Sequence, residues 1–424
     1  MKVYLRTFGC RANHYDTEAV RELVESNGHT IVSSVDTADV AVFNSCAVTS
    51  HAEAELRKVV RRASKDRPGL RSVVMGCASA LDAERPTEMS IRALPSVEHV
   101  VAGADLVAVA DALEVSIPDS RMLTRSQSGT RALLRIQDGC DEHCTFCATT
   151  MARGPNRSRP VDDVIREAVA LAERHREIVI TGIHIGTYGV DIGSSLSRLM
   201  EALTGEVHGP RFRLTSIEAT EIDPLLVELL TDPSVDLVPH VHAPLQSGSD
   251  RILRRMGRHW YTRSTYATAV ELLARSSGVF GLGADIITGF PGETTEDHAA
   301  TVSLVKELPF TYLHVFPFSL RPGTPAERLP SRVAARVADE RALELRALAT
   351  EKADAYSSAR SGGRGDVIAI GAPRDGHREG LTEDYLTVTV SDASIGRGER
   401  FQARLERDGG ALVAIREVPA QAGV

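Results

Sequence analysis

Short apolar runs alternate with amphipathic stretches along the first hundred residues. Strand-like runs cover residues 2–7, 40–43 and 72–75, and glycine or polar residues follow each of them. Helical periodicity fills the intervals, over about 15–25 and 52–65. Strands that alternate with helices in this way predict a parallel sheet covered by helices.

A second alternating series begins near residue 132. Six apolar runs separated by helical patterns cover residues 132–136, 177–181, 211–217, 238–242, 281–288 and 312–317. Six such strand–helix units predict a partial (βα)6 barrel, whose functional rim lies at the carboxyl ends of its strands. The central part of the chain is therefore also predicted to be α/β.

The pattern changes again towards the end of the chain. A long helical pattern over about 331–358 runs into a glycine-rich segment, and short alternating strands follow at 366–370, 385–390, 399–405 and 411–415. These strands predict a small antiparallel β-barrel. The predicted parts are an N-terminal α/β domain at 1–114, a linker at 115–130, the partial barrel at 131–330, a connecting helix at 331–360 and the small β-barrel at 361–424.

Composition narrows the class of protein. The chain has 424 residues and a formal net charge of −8, which argues against indiscriminate binding to nucleic acid but leaves a local basic surface open. Arg6 interrupts any early apolar stretch, and no later run is long enough to span a bilayer. We therefore expect a cytoplasmic, monomeric protein of several domains without membrane attachment.

Six cysteines in two sets of three are the strongest chemical signal in the chain. A C-x-x-x-C-x-x-C run, here called the compact triplet, consists of Cys140, Cys144 and Cys147. The dispersed triplet consists of Cys10, Cys46 and Cys77. A [4Fe–4S] cluster normally takes four cysteine ligands, so a cluster on three cysteines keeps one iron open for another ligand. Two triplets therefore predict two such clusters.

Other interpretations of the cysteines fit less well. Disulfide frameworks belong to short, cysteine-rich secreted chains. Structural zinc sites use paired C-x-x-C motifs or added histidines, and the compact triplet has a different spacing. Buried structural cysteines stay open as the alternative for the dispersed triplet. However, each of its members closes a predicted strand of one parallel sheet, and ligands bind beyond the carboxyl ends of such strands.

The motifs around these cysteines resemble the radical S-adenosylmethionine (SAM) superfamily, and the wider chain resembles its methylthiotransferase branch. The matching stretches are TFGCRANHYDTE at 7–18, NSCAVT at 44–49, MGC at 75–77, IQDGCDEHCTFC at 136–147, ARGPNRSR at 152–159, QSGSDRILRRMGR at 246–258, DIITGFPGET at 285–294 and HVFPFSLRPGTPA at 314–326. Within this branch, ITGIHIGTYGVD at 180–191 favours the enzymes that act on N6-threonylcarbamoyladenosine beside the tRNA anticodon.

The resemblance implies an enzyme with two [4Fe–4S] clusters and SAM as its cofactors. The cluster on the compact triplet would cleave SAM to a 5′-deoxyadenosyl radical that abstracts the hydrogen at adenine C2. The cluster on the dispersed triplet would deliver the methylthio group. Phe146 is expected to contact the adenine of SAM, and Gly182 the methionine end. Glu218 and Gln246 are expected at the ribose or methionine, with ordinary packing as the alternative.

The implied partners are tRNA, an external electron donor and a sulfur source. Arg153, Arg157 and Arg159 are candidates to bind the carboxylate of the threonylcarbamoyl group, with phosphate contact as the alternative for each. LTEDYLTV at 381–388 resembles the RNA-binding TRAM domain. Two basic helix faces could also meet RNA phosphates: Arg57, Lys58, Arg61, Arg62 and Lys65, and Arg251, Arg254, Arg255 and Arg258.

Three other functions remain possible from the sequence. Relatives within the branch act on isopentenyladenosine in tRNA or on an aspartate of a ribosomal protein. From another class, an electron-transfer iron–sulfur protein would need four cysteines for each cluster, and six cysteines cannot complete two.

Overall fold

The N-terminal part of the protein is a parallel sheet with helices. The computed structural model describes residues 1–47, 50–82, 90–117, 127–374 and 376–417. Its five strands run in the order β2-β1-β3-β4-β5, all parallel. The elements are β1 Lys2–Thr7, α1 Arg11–Ser26, β2 Thr30–Val32, β3 Val40–Ser45, α2 Ser50–Asp66, β4 Arg71–Gly76, α3 Cys77–Ala80, β5 Val97–Val100 and α4 Leu106–Leu113.

Burial explains which of these strands the sequence pattern could reveal. Every residue of the central strand β3 is buried, as expected where helices cover both faces of a sheet. The outer strands β2 and β5 were not predicted from the sequence. They have only three and four residues, and none of these residues is fully buried. The sequence therefore has no run of buried apolar residues that would predict these strands.

Six parallel strands form the predicted partial barrel in the central part. Two three-stranded sheets, β10-β9-β6 and β11-β12-β13, are joined by parallel bridges between Phe212 and Leu237 and between Ser216 and His242. The elements are β6 Ala132–Arg135, β7 Gln137–Asp138, α5 Thr149–Arg153, β8 Arg157–Ser158, α6 Val161–Ala172, β9 Glu177–Thr181, α7 Leu196–Glu206, β10 Arg211–Leu214, α8 Pro224–Thr231, β11 His240–His242, α9 Asp250–Arg255, α10 Arg263–Ser276, β12 Gly281–Thr288, α11 Thr295–Glu307 and β13 Tyr312–Pro317.

A long helix leads into a closed β-barrel at the C-terminal end. The elements are α12 Ala335–Arg360, β14 Arg364–Arg374, β15 His377–Leu381, β16 Thr387–Val390, β17 Arg400–Asp408 and β18 Ala411–Arg416. The strands close in the order β14-β15-β16-β18-β17. An antiparallel barrel was predicted, and four of the described strand pairs are antiparallel, but β16 and β18 pair in parallel. Four strands were predicted and five are present. The missed strand, β15, has the sequence HREGL, whose polar residues and glycine hide its pairing with β14 and β16.

Two buried arginines attach this small barrel to the central one. Arg211 and Arg213 both pair with the buried carboxylate of Glu177. Arg213 also donates to the carbonyl oxygens of Thr382 and Glu383, at 2.9 Å each. Removing one partner of a buried ion pair leaves an uncompensated charge, so this network holds the 382–386 turn firmly against the central barrel.

Parts of three predicted regions lie outside the described residues. These are residues 48–49 and 83–89 of the predicted N-terminal domain, residues 118–126 of the predicted linker, and residues 375 and 418–424 of the predicted small barrel. Among the helices that are described, none is both long and apolar enough to cross a membrane.

Candidate functional site

The compact triplet lies on a loop that follows β7 at the rim of the central barrel. Close backbone contacts fix this loop. A side chain at Gly139, where φ is +75°, would collide with the carbonyl oxygen of Pro155, so the position requires glycine. Cys140 donates its backbone N–H to Gly154 at 3.0 Å, and Thr145 donates to Met256 at 2.8 Å.

Each sulfur of the compact triplet has a nitrogen group beside it. The backbone N–H of Thr149 donates to Cys147 Sγ at 3.3 Å, and Arg258 Nη1 donates to Cys144 Sγ at 3.4 Å. The imidazole Nδ1 of His184 lies 3.6 Å from Cys140 Sγ. Donors aimed at sulfur stabilise thiolates, which are the form that binds iron.

Burial and the Arg258 guanidinium shift the pKa of Cys144 in opposite directions. Burial raises the pKa of the Cys144 thiol to about 12, and the Arg258 guanidinium opposes that rise. Arg258 is itself only 4 % exposed and is held by an ion pair to Glu218. Arg258 was predicted as a possible contact to RNA phosphates, but it is too buried for that contact. It instead donates a hydrogen bond to a cysteine of the compact triplet.

A cavity of about 180 Å³ opens beside the compact triplet. Three of the four predicted cofactor contacts line it, namely Phe146, Glu218 and Gln246. The buried Oε2 of Glu218 has no hydrogen-bond partner among the described residues, so the cavity offers an unsatisfied acceptor. Burial also raises the pKa of this carboxyl. An open acceptor next to three thiols fits a ligand that carries an amine or hydroxyl groups, as SAM does.

The dispersed triplet lies at the carboxyl edge of the N-terminal sheet. Cys10 precedes α1, Cys46 follows β3, and Cys77 begins α3 directly after β4. The backbone approaches these sulfurs closely. At Gly9, where φ is +101°, a Cβ atom would lie 2.5 Å from Cys46 Sγ. Parallel strand ends therefore bring the three cysteines together, as the alternation of strands and helices predicted.

Asn13 and Arg153 organise the dispersed triplet. The side-chain oxygen of Asn13 lies 3.7 Å from the sulfurs of both Cys10 and Cys77. Arg153 Nε donates to Cys77 Sγ at 3.4 Å, and Arg153 Nη2 donates to Asn13 at 2.8 Å. Burial raises the pKa of Cys77 to about 11, against the effect of Arg153. Three free thiols with a cationic donor have the chemistry that a three-ligand iron–sulfur site needs.

A larger cavity of about 570 Å³ separates the dispersed triplet from the central barrel. All three dispersed cysteines line it, and so does Gly182, the fourth predicted cofactor contact. Its far wall carries ends of barrel strands, including Thr181, Ser216 and His242, and its remaining walls carry aromatic side chains. The dispersed triplet therefore faces the barrel rim across one open space.

A hydrogen-bonded group of two histidines and one aspartate forms part of that wall. Asp285 Oδ1 lies 3.1 Å from His242 Nε2 and 3.2 Å from His314 Nδ1. Their ligand atoms all lie within 4.8 Å of one another, a spacing that could also suit a metal ion. Tyr312 Oη contacts His242 Nδ1 at 3.1 Å and His240 Nε2 at 2.9 Å. The sequence analysis gave these histidines no role.

None of the three arginines predicted to bind substrate lines the larger cavity. Arg153 is buried and pairs with Asp16 at 2.6 Å. Arg159 pairs with the buried Glu167 at 2.7 Å. Arg157 has a side chain that is 55 % exposed and donates to the carbonyl oxygen of Arg153 at 3.0 Å. Their assignment to the substrate carboxylate stays a prediction.

Several residues in or beside the two cavities were not predicted from the sequence. His184 lines the smaller cavity. Burial acts to lower the pKa of His184, but Cys140 and Glu221, which lies 2.8 Å from His184 Nε2, raise it to about 10. Arg11 and Tyr385 line the larger cavity from opposite ends of the sequence. The placement of Arg11 directly after Cys10 could have indicated its position. No local signal marks Tyr385, which lies 374 residues away from Arg11.

Two family descriptions match the two halves of this site. Residues 2–101 match the uncharacterized protein family UPF0004, and residues 134–305 match the radical SAM superfamily. A solved structure with a similar fold is the radical S-adenosylmethionine methyltransferase TsrM from Kitasatospora setae. Its TM-score is 0.55 at 14% identity, over 77% of this chain and 76% of that one. The partial barrel and its three-cysteine loop therefore define a radical SAM protein.

Curated relatives narrow that class. Threonylcarbamoyladenosine tRNA methylthiotransferase MtaB of Bacillus subtilis is 36% identical over 96% of this chain and 94% of its own length. The protein of the same name from Rickettsia prowazekii is 32% identical, over 94% and 93%. A tRNA-2-methylthio-N(6)-dimethylallyladenosine synthase from Sorangium cellulosum is 32% identical, over 99% and 95%. The chain belongs to the radical SAM tRNA methylthiotransferase family, as its sequence motifs predicted.

Proposed function

We propose that this protein is the enzyme that replaces the C2 hydrogen of N6-threonylcarbamoyladenosine in tRNA with a methylthio group. The observation that carries the proposal is the larger cavity. Its volume is about 570 Å³, and it has the dispersed triplet on one side and the rim of the radical SAM barrel on the other. A base bound there would lie between the source of its methylthio group and the site that activates its C–H bond.

The protein itself binds and orients in this reaction, and its cofactors carry the chemistry. SAM and one [4Fe–4S] cluster supply the oxidising power that breaks an unactivated C–H bond, and a second [4Fe–4S] cluster supplies the methylthio sulfur. Cys140, Cys144 and Cys147 would hold the first cluster. Cys10, Cys46 and Cys77 would hold the second.

The residues around the compact triplet then have defined tasks. Arg258 donates to Cys144 Sγ and is oriented by Glu218, whose side chain lines the smaller cavity and whose second oxygen has no hydrogen-bond partner among the described residues. We assign Glu218 and Gln246 to the polar parts of SAM and Phe146 to its adenine. Phe146 packs edge-on against Phe290, with ring centroids 6.4 Å apart, which fixes the orientation of its ring. Gly182 lines the larger cavity, and a Cβ atom there would lie 2.8 Å from Gln137 Oε1, so the position has no room for a side chain.

The polar wall of the larger cavity favours threonylcarbamoyladenosine over isopentenyladenosine. A threonylcarbamoyl group carries a carboxylate, hydroxyl and amide groups, whereas an isopentenyl group is apolar throughout. Arg11, His314 and Tyr385 offer hydrogen-bonding groups in this wall. A site built for polar recognition discriminates strongly, because an analogue that lacks the polar group leaves buried partners unpaired.

An assay on two purified tRNAs tests this substrate. Reconstituted protein is given tRNA carrying either threonylcarbamoyladenosine or isopentenyladenosine under identical reducing conditions, and the digested nucleosides are measured by mass spectrometry. We expect the methylthio product from the first tRNA and little from the second. Equal or reversed activity would overturn the substrate assignment and leave the radical SAM chemistry in place.

We further propose the localisation, oligomeric state, partners and domain limits of this enzyme. It is a cytoplasmic monomer whose clusters receive electrons from an external donor and sulfur from a separate source. The domain limits at 114, 130, 330 and 360 divide it into the sulfur-donor domain, the linker, the radical SAM barrel, the connecting helix and an RNA-binding TRAM-like barrel. Arg211 and Arg213 attach the C-terminal barrel to the central barrel. This attachment supports a fixed position of the C-terminal barrel beside the substrate cavity.

A further inference from the structure

Arg11 is the one arginine or lysine among the described residues that line the larger cavity. It follows Cys10 directly and begins α1. Its Nη2 donates to the hydroxyl of Tyr385 at 3.0 Å. No carboxylate oxygen of the described residues lies within the 4.0 Å of its guanidinium that would make an ion pair. Arg11 therefore has no carboxylate partner among the described residues, in contrast to Arg153 and Arg159.

Tyr385 is a rigid partner for this guanidinium. It lies in the turn between β15 and β16, where its φ of +71° is a conformation that bulky residues seldom adopt. Its ring stacks on His240 with centroids 4.6 Å apart, and the Arg213 guanidinium lies 5.2 Å from its centre. The next residue back, Asp384, binds Arg360 at 2.7 Å. The C-terminal barrel therefore presents one fixed hydroxyl to the cavity.

The other charges of the cavity leave room for an anion at Arg11. Asp285 is the one carboxylate among the described lining residues, and two imidazoles contact it. An arginine has five N–H donors in a planar fork that matches a carboxylate, and only one of them is directed to Tyr385. The free side of the fork can thus accept a carboxylate in two parallel hydrogen bonds.

We propose that Arg11, held in place by Tyr385, binds the carboxylate of the threonylcarbamoyl group and so selects this nucleoside. The inference rests on the proposed function and adds the residue that determines specificity. It also gives the C-terminal barrel a task at the substrate base, because its Tyr385 orients the residue that recognises the modification.

The test compares three anticodon stem-loop RNAs, which carry threonylcarbamoyladenosine, its carboxamide analogue or unmodified adenosine. Binding to reconstituted full-length protein and initial rates of methylthiolation are measured. Charge-assisted hydrogen bonds of this kind predict that the wild-type protein prefers the carboxylate over the carboxamide by about 10- to 100-fold in binding. In Arg11→Gln the preference should fall to about onefold, because the charge is gone. Arg11→Lys should restore part of it, because lysine keeps the charge without the fork.

Matched variants separate recognition from damage. Arg6→Gln removes the same charge from the same N-terminal domain, but Arg6 pairs with Glu55 and does not line the cavity, so this variant should keep the full preference. Tyr385→Phe keeps the ring and removes only the hydroxyl. It should lower the preference by about threefold, because Arg11 keeps its charge but loses the hydrogen bond that orients it. Iron content should stay at the wild-type level in the Arg11 and Tyr385 variants.

Three results would overturn the proposal. Arg11→Gln that keeps the carboxylate preference would place the recognition elsewhere. An equal loss of affinity for all three RNAs would make Arg11 a phosphate contact. If the wild-type protein methylthiolated the carboxylate and carboxamide RNAs equally well, no residue would select the substrate by its carboxylate. In these cases the proposed function stands, whereas a wild-type protein that is inactive on threonylcarbamoyladenosine RNA would overturn the function itself.

Discussion

The two cysteine triplets reach similar surroundings by opposite routes. The compact triplet lies on one loop, with eight residues from its first cysteine to its last, while the dispersed triplet collects three strand ends that span 68 residues. Yet a buried arginine meets one sulfur of each at 3.4 Å: Arg258 at Cys144, and Arg153 at Cys77. Each arginine also pairs with a buried carboxylate, Glu218 or Asp16.

The difference lies in where the supporting groups come from. The compact triplet is supported by residues of its own barrel. The dispersed triplet takes its arginine from α5, the short helix that follows the compact triplet in sequence. The segment from Cys147 to Arg153 therefore connects the two sites. The N-terminal sheet brings its three cysteines together, but the radical SAM barrel completes their surroundings.

The largest effect is expected for Cys144→Ala. This change removes one of three ligands from the cluster that cleaves SAM, so both 5′-deoxyadenosine and methylthio product should fall to the level of a reaction without enzyme. Chromatography of the reaction and nucleoside analysis of the tRNA measure the two products together. Substantial cleavage of SAM by this variant would contradict the assignment of the compact triplet.

Replacing Cys10, Cys46 and Cys77 together by alanine should separate the two tasks. The variant keeps the compact triplet, so it should still form 5′-deoxyadenosine, but it should attach no methylthio group to tRNA. The same two measurements apply. If methylthio product still formed, the sulfur donor would have to lie elsewhere in the reaction.

Variants of the two buried arginines, Arg153 and Arg258, test the separate tasks of the two triplets without removing a cysteine. Supporting residues of this kind typically change metal binding or activity by about 10- to 100-fold. Arg258→Met should lower SAM cleavage by such a factor. Arg153→Met should leave cleavage within about twofold and lower methylthio transfer by about 10- to 100-fold. Arg258→Met also leaves the buried Glu218 unpaired, at a cost of about 3–5 kcal/mol in the free energy of unfolding. Arg153→Met should cost less, because Asp16 keeps its ion pair with Arg135.

The pattern of losses separates a specific effect from unfolding, because general unfolding of either variant would reduce both 5′-deoxyadenosine and methylthio product. Arg166→Gln, at an exposed arginine on α6 that pairs with Asp163, should change neither product. Equal losses of SAM cleavage in Arg153→Met and Arg258→Met would contradict the division of tasks between the triplets.

The sequence predicted the cysteine sites far better than their surroundings. The three dispersed cysteines were expected to meet because parallel strands end at one edge of a sheet. Arg153 was predicted to contact substrate, and its contact with Cys77 was not predicted, because nothing local reveals that α5 packs beside α3. Arg258 belonged to a predicted basic helix face, and only the tertiary contact with Glu218 shows that it is buried.

The smallest effect is expected at Asn13. Its amide group donates to the carbonyl oxygens of Phe8 and Ser45 at 3.0 and 2.8 Å, and it is fully buried. Asn13→Ala leaves these buried groups unpaired, which should cost about 1–3 kcal/mol in the free energy of unfolding. We expect a few-fold loss of methylthio transfer and unchanged SAM cleavage, with stability measured by denaturant unfolding. A loss of cleavage equal to the loss of transfer would show that Asn13 serves more than the dispersed triplet.

The iron content of three anaerobically reconstituted proteins tests the central claim most directly. Two [4Fe–4S] clusters predict about eight iron atoms per chain in the wild type. The variant with alanine at all three dispersed cysteines should hold about four, and so should the variant with alanine at all three compact cysteines. Full iron retained by the first variant, or loss of all iron from either one, would contradict two separate three-cysteine clusters.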